Sequence, residues 1–209
     1  VFIRKWGGNG PGIEFESDIF YATEPDFDAF AGFENGQFWQ PRGISVDREG
    51  NIYVVDTRNE RIQKFTADGV FIEKWGNPFD ITNYSNNKSS LNGQFDGPYD
   101  IAIDGDRKFM YIIDQGNNRI QKLDLKGDFV AKWFDSAQVG GKNIKSTKIK
   151  FTPDHQFYFV ADKNNNRILK YNAVNILVDI IDFELGFEDG QFREITDIAI
   201  GINNNIYIV

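Results

Sequence analysis

The sequence predicts an all-β chain assembled from repeated four-stranded antiparallel units. Three observations carry that prediction. A ten-residue motif, Asp-x-x-Asn-x-Arg-Ile-x-Lys-apolar, occurs at residues 56–65 (DTRNERIQKF), 114–123 (DQGNNRIQKL) and 162–171 (DKNNNRILKY). The copies are spaced by 58 and then 48 residues, one supersecondary unit per copy. The first copy follows a continuously apolar run, IYVV at 52–55, and precedes a Gly-marked turn, which is the punctuation of short strands.

Composition narrows the function classes. With 41% hydrophobic and 15% aromatic residues in 209, the chain can bury a core. A net charge of −8 argues against nucleic acid and against an anionic membrane surface. The absence of cysteine removes disulfides, thiol nucleophiles and cysteine-ligated zinc. The single histidine, His155, falls in a turn and is too little for a His-rich metal site. No apolar run approaches the ~20 residues that span a bilayer. Residues 1–7 lack the n-region and h-region of a signal peptide.

In chain order, residues 1–7 (VFIRKWG) nearly repeat residues 70–76 (VFIEKWG), which predicts the last strand of a preceding unit. Residues 8–35 and 77–92 are long connectors. The aromatic, acidic stretch 17–35 packs its rings on the body or serves as a binding loop, since loops beyond ~12–15 residues are uncommon and often functional. The first full unit spans 36–76. Strands are expected at 43–47, 52–55, 61–65 and 70–75, with turns at 48–51, 56–60 and 67–69. The unit 93–134 repeats this plan with one extra residue in its first turn. The unit 146–180 keeps the strands but has Ser146 and Lys148 where its siblings carry Pro and Gly. Residues 190–209 supply the first half of a fourth unit. Residues 1–209 therefore read as a single domain of three complete and two partial units. Such units close into β-propellers of about four to eight blades. An arc is expected, with the rest of the ring supplied by sequence outside these residues.

Gly-Gln-Phe-x-x-Pro-x-Gly-Ile-x-Val-Asp, followed by Ile-Tyr-Val-x-Asp-x-x-Asn-x-Arg-Ile-x-Lys-Phe, resembles the NHL repeat of β-propeller proteins. Residues 36–65 fit nearly throughout, 93–123 fit well, and the third unit fits from Phe157 onward. The resemblance implies an NHL-like β-propeller, commonly six-bladed. It also implies a choice of functions. Lactonase-like propellers hold calcium on the axis, NHL-like zinc lyases need several histidines, and some tripartite-motif propellers bind RNA on a basic face. Lysines 142, 145, 148 and 150 form one basic run, without an aromatic stacking platform, so RNA is not expected.

The motif residues are charged and regularly placed, but a catalytic group is needed once and a turn clamp in every blade. Asp56, Asn59 and Arg61, with Asp114, Asn117 and Arg119, and Asp162, Asn165 and Arg167, are therefore expected to be structural corners. In each, Asn would take a left-handed turn position, Asp would accept turn N–H groups, and Arg would reach back to Asp. Trp6, Trp75 and Trp133 recur in fourth strands and are expected to pack. Trp39 has no counterpart; core packing is the favoured reading, with ligand contact as the other. Specificity is expected where the blades differ, at the start of each first strand: Arg42 with Gly43, Tyr99 with Asp100, Thr147 with Lys148, and Thr196 with Asp197. Asp100 and Asp197 could together hold Ca²⁺; the commoner arrangement has them on loop N–H groups or paired with Lys148. Asn83 and Asn87 each begin an Asn-x-Ser triplet in a connector, which tilts the localisation toward the cell surface or exterior. Together these features favour a non-enzymatic module that binds protein or glycan. The alternative is a calcium-dependent hydrolase or lyase.

Overall fold

A computed structural model describes residues 32–77, 88–105, 108–133 and 145–209. The strand expected at 1–7 with Trp6, most of the first connector, Asn83, Asn87 and Lys142 lie outside these residues. The described chain holds fourteen strands: β1 (Pro41–Val46), β2 (Ile52–Asp56), β3 (Arg61–Phe65), β4 (Phe71–Gly76), β5 (Pro98–Ile103), β6 (Phe109–Asp114), β7 (Arg119–Asp124), β8 (Phe129–Trp133), β9 (Ser146–Phe151), β10 (Phe157–Asp162), β11 (Arg167–Asn172), β12 (Leu177–Asp182), β13 (Ile198–Ile200) and β14 (Ile206–Ile208). They pair as three antiparallel meanders, β1–β4, β5–β8 and β9–β12, followed by the hairpin β13–β14. We call the meanders blades 1 to 3. The fold is all-β and propeller-like, and among the described residues the sheets do not close into a ring.

The second strand of each blade is central and apolar, so it is buried along nearly all its length. The third strand carries the motif. Its lysine lies across from an aromatic partner and stacks on second-strand rings: Lys64 on Tyr53 at 5.1 Å, Lys122 on Phe109 at 3.9 Å, and Lys170 on Phe157 at 4.2 Å. Cation–π attraction of this kind is worth ~0.5–1 kcal/mol and accounts for the repetition of the lysine. The turn to the fourth strand needs a left-handed residue. Gly69 and Gly127 supply it, with Asn175 in blade 3.

The motif corner is more extensive than a turn clamp. Asp56 is fully buried, as are Asp114 and Asp162. The Asp56 Oδ2 atom accepts from Arg61 Nε at 2.7 Å, Asn59 Nδ2 at 2.8 Å and Gln63 Nε2 at 3.0 Å. Its Oδ1 accepts from the Trp39 backbone at 2.7 Å. The Arg61 fork then donates to the carbonyls of Phe33, Glu34 and Gln37. Blade 2 repeats the set: Asp114 with Arg119, Asn117, Gln121 and the Asp96 N–H, and Arg119 with the carbonyls of Ser90, Leu91 and Gln94. In blade 3 Asp162 keeps Arg167, Asn165 and the Lys145 N–H. Leu169 there replaces the glutamine. Burial pushes the Asp56 and Asp114 carboxyls up. Every partner is nevertheless a donor, with a guanidinium among them, so each corner is an ion pair.

Two details differ from the sequence reading. The left-handed residue is not the repeated Asn but the one after it: Glu60 at φ 52°, Asn118 at 51° and Asn166 at 51°. Asn59 instead lies in a short 3-10 turn, Thr57–Asn59, from which its amide reaches Asp56. The N–H that Asp accepts comes from the incoming connector rather than from the turn itself.

Side chains on opposite faces of each blade meet different neighbours. Tyr53, Val55, Ile62 and Trp75 of blade 1 pack on Phe95, Ile101, Met110 and Ile112 of blade 2. Tyr111, Ile113, Ile120 and Trp133 of blade 2 pack on Ile149, Tyr158, Val160 and Tyr171 of blade 3. Phe159, Ala161 and Ile168 meet Ile195 and Ile198. Trp75 stacks on Tyr53 with centroids 6.1 Å apart, and Trp133 meets Tyr111 edge-on at 5.6 Å, so both recurrent tryptophans pack.

Replacing Arg119 by alanine leaves Asp114 as a buried charge without its cation and frees the connector carbonyls of Ser90 and Leu91. A loss of about 3–5 kcal/mol is expected, read from the urea midpoint of unfolding. An unchanged midpoint would remove the corner from the stability argument.

Candidate functional site at the inner-strand rim

The first strand of each blade starts with a break in register. Pairing of β1 with β2 shifts between Pro41 and Ile44, that of β5 with β6 between Pro98 and Ile101, and that of β9 with β10 between Ala161 and Asp162. Bulges free one residue from the ladder and re-aim its side chain. The freed positions include Arg42, Tyr99 and Thr147, the places where the sequence differs from blade to blade.

The structure joins two of the rim candidates directly. Arg42 of blade 1 donates from Nη1 to the Tyr99 hydroxyl of blade 2 at 2.8 Å, and its guanidinium lies 4.5 Å from the Tyr99 ring centroid. Arg42 is exposed, while Tyr99 is half-buried and packs against the core between blades 2 and 3; stacking and a hydrogen bond hold the two together. Beside it, Arg58 Nε donates to Gln40 Oε1 at 3.3 Å, bringing a second guanidinium to the same edge of blade 1. Neither Gln40 nor Arg58 stood out in the sequence. Arg58 occupies a variable motif position, and only its register against residues 39–42 shows that it faces the rim.

The remaining candidates are directed elsewhere. Gly43, Asp100 and Lys148 are equivalent, and each meets the next blade. A Cβ on Gly43 would lie 2.6 Å from Asp100 Cα. Asp100, 1% exposed, accepts from Ile149 N at 3.0 Å. Burial pushes its carboxyl up, against the pull of Lys150, the Ile149 N–H and Lys148. Lys148 reaches Asp197 at 3.9 Å, an exposed pair of small worth. Thr147 is buried. Thr196 is spent on the Val209 carbonyl, through both N–H and hydroxyl. Trp39 meets Phe33 edge-on at 5.6 Å and so packs on the connector.

This arrangement does not fit calcium. The two aspartates are engaged separately, lysines stand beside each, and among the described residues no three His, Cys, Asp or Glu side chains form a possible metal site.

Fold and rim together define a segment of a β-propeller. The NHL repeat model matches residues 38–65, which lie in blade 1. Among curated proteins, the chain is 32% identical over 102 residues to peptidyl-glycine alpha-amidating monooxygenase B of Xenopus laevis, which covers 47% of this chain and 11% of that protein. It is 48% identical over 40 residues to the B-box type zinc finger protein ncl-1 of Caenorhabditis elegans, which covers 19% of this chain and 5% of that one. The chain thus spans a small part of the curated relatives it matches. Among solved structures it resembles a streptogramin B lyase, with TM-score 0.58, 16% identity, 85% of this chain and 50% of that chain covered. It also resembles a putative 6-phosphogluconolactonase from Bacteroides uniformis, with TM-score 0.56, 13% identity, 90% of this chain and 50% of that chain covered. At such identities the likeness is one of fold.

Gly43→Ala places a methyl against the Asp100 backbone, which a flexible neighbour cannot relieve. Destabilisation by about 1–3 kcal/mol is expected from the denaturant midpoint, as for other overpacked sites. No loss would mean that blades 1 and 2 are not in contact at their inner strands.

Proposed function

We propose that this chain is a non-enzymatic recognition and scaffold module within a larger exported or cell-surface protein, binding a protein or glycan partner at the inner-strand rim. The observation that carries the reading is the Arg42–Tyr99 pair, whose guanidinium is exposed at the rim. A planar cation stacked on an aromatic ring loses little freedom on binding, and arginine and tyrosine are the side chains most enriched at binding hot spots. The repeated aspartates and arginines, by contrast, pair with one another in buried corners. The Asn-x-Ser triplets at Asn83 and Asn87 support an exported location. A calcium-dependent hydrolase or lyase would need metal ligands from outside the described residues.

The test is a glycan array together with cross-linking capture of protein partners, using the full-length protein and its Arg42→Ala variant. The variant is expected to keep its melting temperature and to bind about tenfold more weakly, the cost of truncating one hot spot. Full binding by the variant overturns the rim as the contact surface.

A further inference from the structure

In blades 1 and 3 the left-handed residue that closes the corner also ties its blade to the succeeding stretch of chain. In blade 3 it is Asn166, whose backbone carbonyl accepts from Phe183 N at 3.1 Å and whose amide donates to the carbonyls of Phe183, Glu184 and Phe192. In blade 2 it is Asn118. In blade 1 the same position holds Glu60, an acid where its siblings are neutral amides. Its backbone carbonyl does the shared work by accepting from Asn77 N at 3.2 Å. Its carboxyl does something new: Oε2 accepts from Gly97 N of blade 2 at 2.5 Å.

The setting is unfavourable for a carboxylate. Glu60 is only 2% exposed and holds φ at 52°, a region that asparagine tolerates far better than glutamate. Of the charges around it, blade 2 contributes Asp96, paired with Lys88 at 2.8 Å, and Asp114, engaged by its own corner. On the Glu60 side, Arg58 donates to Gln40 and Arg61 pairs with Asp56. Burial pushes the carboxyl up to about 7; the Gly97 N–H and Lys88 pull it down, while the Asp96 and Asp114 charges push it further up.

We propose that Glu60 is a proton-operated latch between blades 1 and 2, sealed in the junction when neutral and placing an added negative charge beside Asp96 when ionised. The latched residue lies just before Pro98 and Tyr99, so the contact fixes the start of β5. Ionisation strengthens the single bond from the Gly97 N–H but charges a carboxyl that is 2% exposed, so the junction as a whole is tighter with the proton bound. The sign follows from linkage. A carboxyl whose folded value is raised from 4.5 binds a proton on folding between those two values. Its contribution is therefore greatest at acid pH and is lost as pH rises through about 7.

Urea unfolding of the full-length protein from pH 5 to pH 8.5, beside its Glu60→Gln variant, tests the latch. Other acids titrate in both proteins and cancel. The folding equilibrium constant of the wild type relative to the variant is expected to fall by roughly two orders of magnitude across that range. Parallel curves overturn the proposal. Should the variant not fold, the Glu60 carboxyl ¹³C resonance of the wild type decides: a midpoint near 7 supports the latch, and an ordinary midpoint near 4.5 refutes it.

Discussion

A fully buried aspartate at the end of each second strand is the constraint on which this architecture depends. A carboxylate so placed must be met by donors on every side. The chain meets it with one arginine, one asparagine, one connector N–H and, in two blades, one glutamine. The arginine has donors to spare, and it spends them on carbonyls of the incoming connector. One ionic contact therefore fixes three things: the tight turn, the third strand and the path by which the chain enters the blade. A lone surface ion pair could not do this, because water would satisfy its members equally well.

The second constraint is apolar. Alternation along the strands sends each side chain to a different neighbouring blade, so every internal face is covered. Ile101, Ile149 and Ile198 are buried at equivalent inner-strand positions, whereas their counterpart Ile44 is 58% exposed on the outward face of blade 1. Lengthwise, then, the object is a stack whose cohesion comes from nearest neighbours.

Much of this was legible in the sequence. The third strand of blade 1 begins and ends where the spacing put it, at Arg61 and Phe65, and residues 38–65 match the repeat that the motif resembles. What could not be read were features set by the third dimension. The glutamines Gln63 and Gln121 looked like variable positions because blade 3 carries Leu169 there. Their role appears only when the connector carbonyl of Gln37 or Gln94 is seen beside them. The left-handed position was assigned one residue early, since asparagine suits both places and only backbone geometry separates them. Asp100 and Asp197 aligned as a pair, yet alignment says nothing about direction: Asp100 reaches forward to Ile149, and Asp197 meets Lys148 of the blade before it. Arg42 and Tyr99 were individually visible as non-repeated residues. Their contact, 57 positions apart in sequence, depends on inter-blade packing that no local pattern encodes.

The corner arginines grip the connectors through backbone carbonyls alone, at Phe33, Glu34 and Gln37 and again at Ser90, Leu91 and Gln94. Outside the repeated Gly-Gln-Phe, at Phe33, Glu34, Ser90 and Leu91, a hold that ignores side-chain identity leaves the gripped residues almost free to change their letters. Selection can rewrite or lengthen these stretches while the frame stays put, as hypervariable loops are exchanged on an antibody scaffold. For the protein engineer, the connectors are thus sites where foreign peptides can be grafted and displayed without redesigning the blades.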